Sequence, residues 1–229
     1  MIYVTGDTHG DMNYFRPGPC CRDEKLVSGD QLIITGDFGF VMSGDAAQER
    51  KLEELAGKPY EILFVDGNHE NFDLLEQYPR EDRWGGEVRR IRDNIFWLQR
   101  GRVYTIGGKT FFALGGAASV DKAWKLAEGK WWPRELPGEE ELALAERNLT
   151  AHSNRVDYIL THTAPNRHIF RLLGKMPGVG NDDYALTCFL EDRIYRKVRF
   201  RKWFFGHFHQ DRTFYDGLVA CMDQVHPVE

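Results

Sequence analysis

Residues Ile2-Tyr3-Val4-Thr5-Gly6-Asp7-Thr8-His9-Gly10 decide how the rest of the chain is read. Four β-branched or aromatic residues in a row fit a short strand, and Gly6-Asp7 ends it with a turn. The pattern returns twice: Leu32–Thr35 runs into Gly36-Asp37, and Ile62–Val65 into Asp66-Gly67-Asn68-His69. Between these two runs, Asp45–Ala56 carries good helix formers with apolar residues near helical spacing, so a strand–helix–strand crossover is expected. Such a crossover makes neighbouring strands parallel. Parallel strands deliver their carboxyl ends to one edge, where ligands bind in α/β sheets.

Downstream, Ile95–Leu98, Val103–Ile106 and Thr110–Leu114 read as short strands, and Gly107-Gly108 is a hairpin signal, so antiparallel pairing is expected there. Ser119–Pro137, interrupted by Trp124, Trp131, Trp132, Pro133 and Pro137, reads as a long ordered loop with a short helix. Gly138–Ala151 opens on Glu139-Glu140-Glu141 and continues as an amphipathic helix with favourable dipole charges. Tyr158–Thr161 is a strand ending at His162, Asp182–Tyr195 is expected to be helical, and Trp203–Phe205 ends at Gly206-His207-Phe208-His209. A hairpin of Thr213–Tyr215 and Leu218–Met222 turns at Asp216-Gly217.

The 229 residues are 42% hydrophobic and 13% aromatic, enough for a sizeable core, so residues 1–229 are expected to form one domain and disorder is excluded. A net charge of −5 argues against a whole-chain footprint for nucleic acid, although a local basic groove is compatible with it. No apolar run approaches the ~20 residues that span a bilayer, and an acidic residue at position 7 comes too early for a signal peptide. Cys20, Cys21, Cys188 and Cys221 contain no Cys-x-x-Cys pair and read as free thiols of a reducing compartment. A cytoplasmic protein with no membrane partner is the expectation.

Five strand ends carry Asp7/His9, Asp37, Asn68/His69, His162 and His207/His209. Carboxylates, imidazoles and one amide form the mixed N/O set that a dinuclear Mn²⁺, Fe²⁺ or Zn²⁺ site needs, with a carboxylate able to bridge the two ions. Singly, a Gly-Asp after a strand is commonly a turn and a lone histidine a surface or core residue. Five such elements, each directly after an apolar strand, point instead to a metal site.

In that order, Gly6-Asp7-Thr8-His9-Gly10, Gly36-Asp37, Gly67-Asn68-His69-Glu70, Thr161-His162 and Gly206-His207-Phe208-His209 resemble the motifs of the calcineurin-like metallophosphoesterase superfamily, with the small bacterial and phage members the nearest in look. The resemblance spans residues 6 to 209. It implies an α/β fold in four layers (α-β-β-α), two mixed β-sheets flanked by helices, with a dinuclear site at the carboxyl edge of the strands. It implies that Asp7, His9 and His209 hold one ion and Asn68, His162 and His207 the other, while Asp37 bridges them. The ions would be two divalent transition metals, Mn²⁺ first, with Fe, Zn, Ni and Co also compatible. A hydroxide shared by the ions would attack phosphorus. His69, free of metal, would face the scissile bond as proton donor or charge stabiliser.

The departures from the family pattern matter equally. Phe40 stands where protein phosphatases carry a second Asp, and Asp66 stands where they carry an Arg before Gly-Asn-His. The phosphate-clamping arginines are missing, and so is the acid that orients the catalytic histidine, for which Asp66, Asp73 and Asp11 are candidates. The expected activity is metal-dependent hydrolysis of phosphoesters, with diesters or small nucleotide-like substrates preferred. Alternatives are a phosphomonoesterase or protein phosphatase and, from another class, an inactive metal-stabilised binding module. Arg167, Arg171 and Trp131 are candidate substrate contacts. The competing readings are a solvated helix face for the arginines and loop packing for the tryptophan. The basic run from Arg193 to Lys202 fits a helix end entering a strand better than a nucleic-acid contact.

Overall fold

In the computed structural model, which describes residues 1–175 and 182–229, the short apolar runs form the middles of two sheets. The first contains β1 (Ile2–Thr5), β2 (Gln31–Ile34), β3 (Glu61–Phe64), β4 (Arg80–Arg83), β5 (Gly86–Arg92) and β6 (Ile95–Leu98). The second contains β7 (Arg102–Ile106), β8 (Lys109–Leu114), β9 (Tyr158–Thr161), β10 (Lys202–Phe205), β11 (Arg212–Thr213) and β12 (Leu218–Ala220). A last strand, β13 (His226–Pro227), returns to the first sheet. The orders are β13-β1-β2-β3-β6-β5-β4 and β11-β12-β10-β9-β8-β7.

Each sheet has four parallel strands at its centre, β1-β2-β3-β6 and β8-β9-β10-β12, and antiparallel strands only toward its edges. Residues alternate between two buried faces, which is why the central strands read as unbroken apolar runs. Ile33 and Leu63 meet Phe111, Leu160 and Phe204 between the sheets. Their neighbours Leu32, Ile34, Ile62 and Phe64 pack outward on Leu52 and Leu55 of helix α1 (Ala46–Ala56). On the far side, Phe112, Ile159, Trp203 and Phe205 pack outward near Ala145 and Leu149. The result is the four-layer α-β-β-α sandwich with two mixed sheets.

Local chemistry sets the helix boundaries. Asp45 caps α1 by accepting from the amides of Ala47 and Gln48. A one-turn helix α2 (Phe72–Leu75) starts at Asn71, whose side chain accepts from Leu74 N. The irregular stretch after β8 holds α3 (Lys122–Ala127) and a 3₁₀ turn at Pro133–Glu135, followed by α4 (Glu139–Ala151), α5 (Asn166–Leu173) and α6 (Tyr184–Phe189). The expected 182–195 helix continues from α6 as a π-helical segment, Leu190–Tyr195. No helix among the described residues is long and apolar enough to cross a membrane.

The β4–β5 hairpin has no counterpart in the sequence expectation. Arg80, Glu81, Asp82 and Arg83 followed by Gly86-Glu87 hide the alternation under charge, as an edge strand permits. Between β3 and β6, Asp66 is fully buried: it takes two hydrogen bonds from Arg100, at 2.9 and 2.6 Å, and one from Trp97 Nε1 at 3.0 Å. Removing one partner of such a pair leaves a buried charge uncompensated. Asp66→Ala is expected to lower unfolding free energy by about 3–5 kcal/mol in urea titrations; a loss below 1 kcal/mol would mean that Glu141, 3.1 Å from Arg100, compensates.

Candidate metal centre

All the candidate ligands emerge where the carboxyl ends of β1, β2, β3, β9 and β10 meet. The loops interlock before any metal is considered: Thr8 N and His9 N donate to Asp37 O at 3.1 and 2.8 Å, and Gly10 N to Phe38 O at 3.0 Å. His69 N donates to Asp37 Oδ1 at 2.7 Å, and His207 N to both Asp7 oxygens at 3.1–3.2 Å. The close approach requires glycine. A Cβ on Gly67 would fall 2.0 Å from Asp37 Oδ1, and one on Gly36 would fall 2.0 Å from His162 Nδ1. These glycines make room for the side chains of candidate ligands.

The donor atoms gather in two groups. Asp7, His9 and His209 converge, with His209 Nε2 at 3.3 Å from Asp7 Oδ2 and 3.1 Å from His9 Nε2. In the other group, Asn68 Oδ1 lies 3.1 Å from His162 Nε2 and 3.0 Å from His207 Nδ1. Asp37 stands between the groups, 3.8 Å from His9 Nδ1 and 3.4 Å from His162 Nε2. Asp7, Asp37 and His162 themselves offer atoms within 4.8 Å of one another, all three buried. Four of these residues, His9, Asp37, His207 and His209, have φ between 46° and 68°. Side chains held in the left-handed region persist only where the surroundings over-determine them, and such residues cluster at functional sites.

The charge state also suits cations. Burial pushes the Asp37 carboxyl up, but the imidazoles of His162, His69 and His9 hold it below its ordinary value. Burial opposes a charged His162, yet Asp37 and Asp7 outweigh burial and raise it from 6.5 to about 10. His162 Nδ1 donates to Thr35 O at 2.8 Å, so the proton that titrates is the one on Nε2, which faces the carboxylate. His207 is held neutral, lowered to about 3 by burial first and by the charge of His162 second. Two buried carboxylates against one protonated imidazole leave the site net negative, as a centre for divalent cations requires.

Glu70, part of the third motif but given no role in the sequence reading, is buried and accepts from Phe38 N at 2.7 Å. Burial first and the nearby Asp37 second raise its carboxyl well above the ordinary value. It holds the Asp37 loop. Arg22, which no motif marks, is buried and donates to the carbonyls of Gly6 and Asp7 at 3.1 and 3.0 Å. It fixes the backbone that presents Asp7.

His69 is half-buried, its ring edge-on to that of His9 with centroids 5.2 Å apart. None of the three acids considered as its orienting partner reaches it. Asp66 is taken by Arg100 and Trp97, Asp73 accepts from Trp132 Nε1 at 2.8 Å, and Asp11 caps the turn that follows it. Burial lowers the pKa of His69, Asp37 opposes the shift, and Lys125 adds to it. Phe40 lies in the core against Phe15 and Phe38, so the missing second Asp is replaced by packing.

The outer candidates lie differently. Arg167 donates to Glu191 at 2.7 Å, and Arg171 to Asp216 at 2.7 Å and to Tyr215 OH at 2.8 Å, so both are engaged on the helix face. Trp131 is half-buried with Lys122 Nζ 4.5 Å from its ring centroid. Their partners here, Glu191, Asp216, Tyr215 and Lys122, are not candidate ligands. In the basic run, Arg196 pairs with Glu191 and Asp192, and Arg201 with Asp157.

A family model for calcineurin-like phosphoesterases matches residues 1–211. The chain belongs to that family. No curated protein sequence matches the chain. Membership makes the protein a metal-dependent hydrolase of phosphoesters, and the family's usual pair of divalent metals finds candidate ligand clusters here.

Metal should stabilise the folded chain by mass action, by about 2.7 kcal/mol at 100 times the dissociation constant. The sign of the pH dependence follows from His162. In the metal-free protein its raised pKa contributes stability that is fully present below 6.5 and fades as pH rises through about 10. A cation must displace that proton. The rise in melting temperature on adding Mn²⁺ to stripped protein is therefore expected to be larger at pH 8 than at pH 6; an equal rise at both would show that no ligand proton is displaced.

Proposed function

We propose that the chain hydrolyses phosphodiesters or small nucleotide-like phosphoesters with two divalent transition-metal ions, Mn²⁺ first among them. In this reading Asp7, His9 and His209 hold one ion, Asn68, His162 and His207 the other, and Asp37 both. The observation that carries it is the position of Asp37, within 4 Å of imidazole nitrogens of both groups at once. When bound, the ions supply Lewis acidity toward the phosphoryl oxygens and toward the attacking water.

The chain's own residues do the rest. Asn68, His162 and His207 offer a neutral oxygen and two ring nitrogens, and the two carboxylates keep the site negative enough to retain cations. His69, neutral because burial disfavours its charged form, presents a ring N–H at the opening of the site and stabilises charge developing on the departing oxygen. Arg167 and Arg171, the arginine forks that follow His162 in the chain, are committed to carboxylates. A dianionic monoester is therefore less well matched than a singly charged diester. The substrate in this reading is a small molecule or nucleotide, and the net charge of −5 does not call for a nucleic-acid polymer.

Hydrolysis of a nitrophenyl phosphodiester beside the corresponding monoester, in the presence of Mn²⁺, tests the reading. The diester is expected to react faster. His69→Gln is expected to lower kcat by about 10²–10⁴-fold while two ions remain bound. Asp37→Asn is expected to lose both activity and the second ion. Faster monoester turnover would reverse the substrate assignment; no turnover of either ester by protein holding two ions would favour a binding role.

A further inference from the structure

Asn68 faces the metal centre through one end of a planar amide, and only its oxygen can be a ligand. On the inner side, ring nitrogens of His162 and His207 lie 3.1 and 3.0 Å from that oxygen and, wherever they carry a proton, draw it inward. An ion takes the place of those protons, and a second constraint that does not depend on them lies behind the amide, in the irregular stretch after β8. Asn68 Nδ2 donates to Ser119 Oγ at 3.3 Å, Lys125 Nζ donates to the same oxygen at 2.8 Å, and Ser119 Oγ donates to Glu135 Oε2 at 2.6 Å. Glu135 Oε1 accepts from Ser119 N at 2.9 Å, and Lys125 Nζ also donates to Asn68 O at 3.1 Å. Asn68, Ser119, Lys125 and Glu135 are 2–7% exposed, so water does not substitute for these bonds.

The direction of every bond is determined. A carboxylate only accepts and an ammonium only donates. Ser119 has one proton and two lone pairs; Glu135 requires the proton and Lys125 occupies one lone pair. The remaining lone pair can be met only by a donor, which is the NH₂ end of Asn68. The oxygen end must then point away, toward His162 and His207.

We propose that Ser119, Lys125 and Glu135 are positioning residues that lock the amide of Asn68 with its oxygen toward the second metal position. This rests on the ligand assignment above. α3 and the 3₁₀ turn that follows thereby belong to the active centre although they supply no ligand.

Glu135→Gln is the discriminating change. Its amide oxygen would be claimed by Ser119 N, leaving NH₂ against Ser119 Oγ; the serine proton would turn toward Asn68 and favour the reversed amide. The second Mn²⁺ is expected to bind about 10–100-fold more weakly, the range for outer partners of metal ligands, while the first is unchanged. In electron paramagnetic resonance the spin-coupled pair would give way to a single-ion spectrum at the same Mn²⁺ concentration. Ser119→Ala is expected to do the same and Ser119→Thr, which keeps the hydroxyl, to restore the pair. The metal-free protein supplies an independent readout: the Asn68 side-chain NH₂ resonances, identified by their loss in Asn68→Asp, should exchange slowly with solvent in the wild type and fast in Ser119→Ala.

The proposal is overturned if Glu135→Gln and Ser119→Ala bind both ions as the wild type does, or if both ions weaken in parallel with a lower melting temperature. It is also overturned if the wild-type amide exchanges fast. Should the wild type bind no Mn²⁺ while its Asn68 amide is protected in the Ser119-dependent way, the metal assignment falls and the orientation stands.

Discussion

A buried carboxylate at the meeting of two sheet edges, Asp37, is what the rest of the molecule accommodates. Its backbone carbonyl ties the loop after β1, its side chain takes the amide of His69 from the loop after β3, and it faces His162 from the opposite sheet. Burying this charge is unfavourable unless partners converge on it. The convergence draws in glycine where a side chain would collide and tolerates left-handed backbone at four ligand candidates. The parallel strand core of each sheet supplies the rigidity that such strain needs.

Two kinds of polar group surround the centre and they do different work. Imidazoles and carboxylates compensate one another electrostatically, so their protonation shifts with whatever cation is present. Arg22, Glu70, Arg100 and Asp66 are engaged with backbone or with each other and hold the loops still. Their place behind the loops commits them to the scaffold rather than to whatever the centre binds.

Much of this was legible in the sequence because strands buried on both faces are continuous apolar runs, and five such strands each followed closely by Asp, Asn or His form an unusual series. The first three strands, the two that precede His162 and His207, and the helix after Asp45 all lie within a residue or two of their expected bounds. The β4–β5 hairpin was hidden by its charge, since an edge strand with solvent on its flank needs no apolar alternation. Outer contacts were harder still. Glu70 could have been noticed as an acid in a buried motif. Arg22, Ser119 and Glu135 sit in loops where one sequence carries no periodic signal, and their roles arise only from contacts up to 51 residues apart or from backbone groups no pattern names. The acid expected to orient His69 illustrates the same limit: spacing nominated three, and each had a nearer donor.

The first strand is also nearly the last to be finished. β1 pairs on one side with β2, but its other side is closed only by β13, through Tyr3 opposite Pro227 and Val4 opposite His226, and Val228 N donates to Ile2 O. A chain made from its amino end would hold Asp7 and His9 on a strand with an open flank until some 220 further residues had been added. Two further candidate ligands, His207 and His209, also arrive late. Nascent chains would therefore pass through a stage with an exposed, pairable edge and no complete metal centre, and it is this interval, rather than the finished protein, that is vulnerable to misassociation.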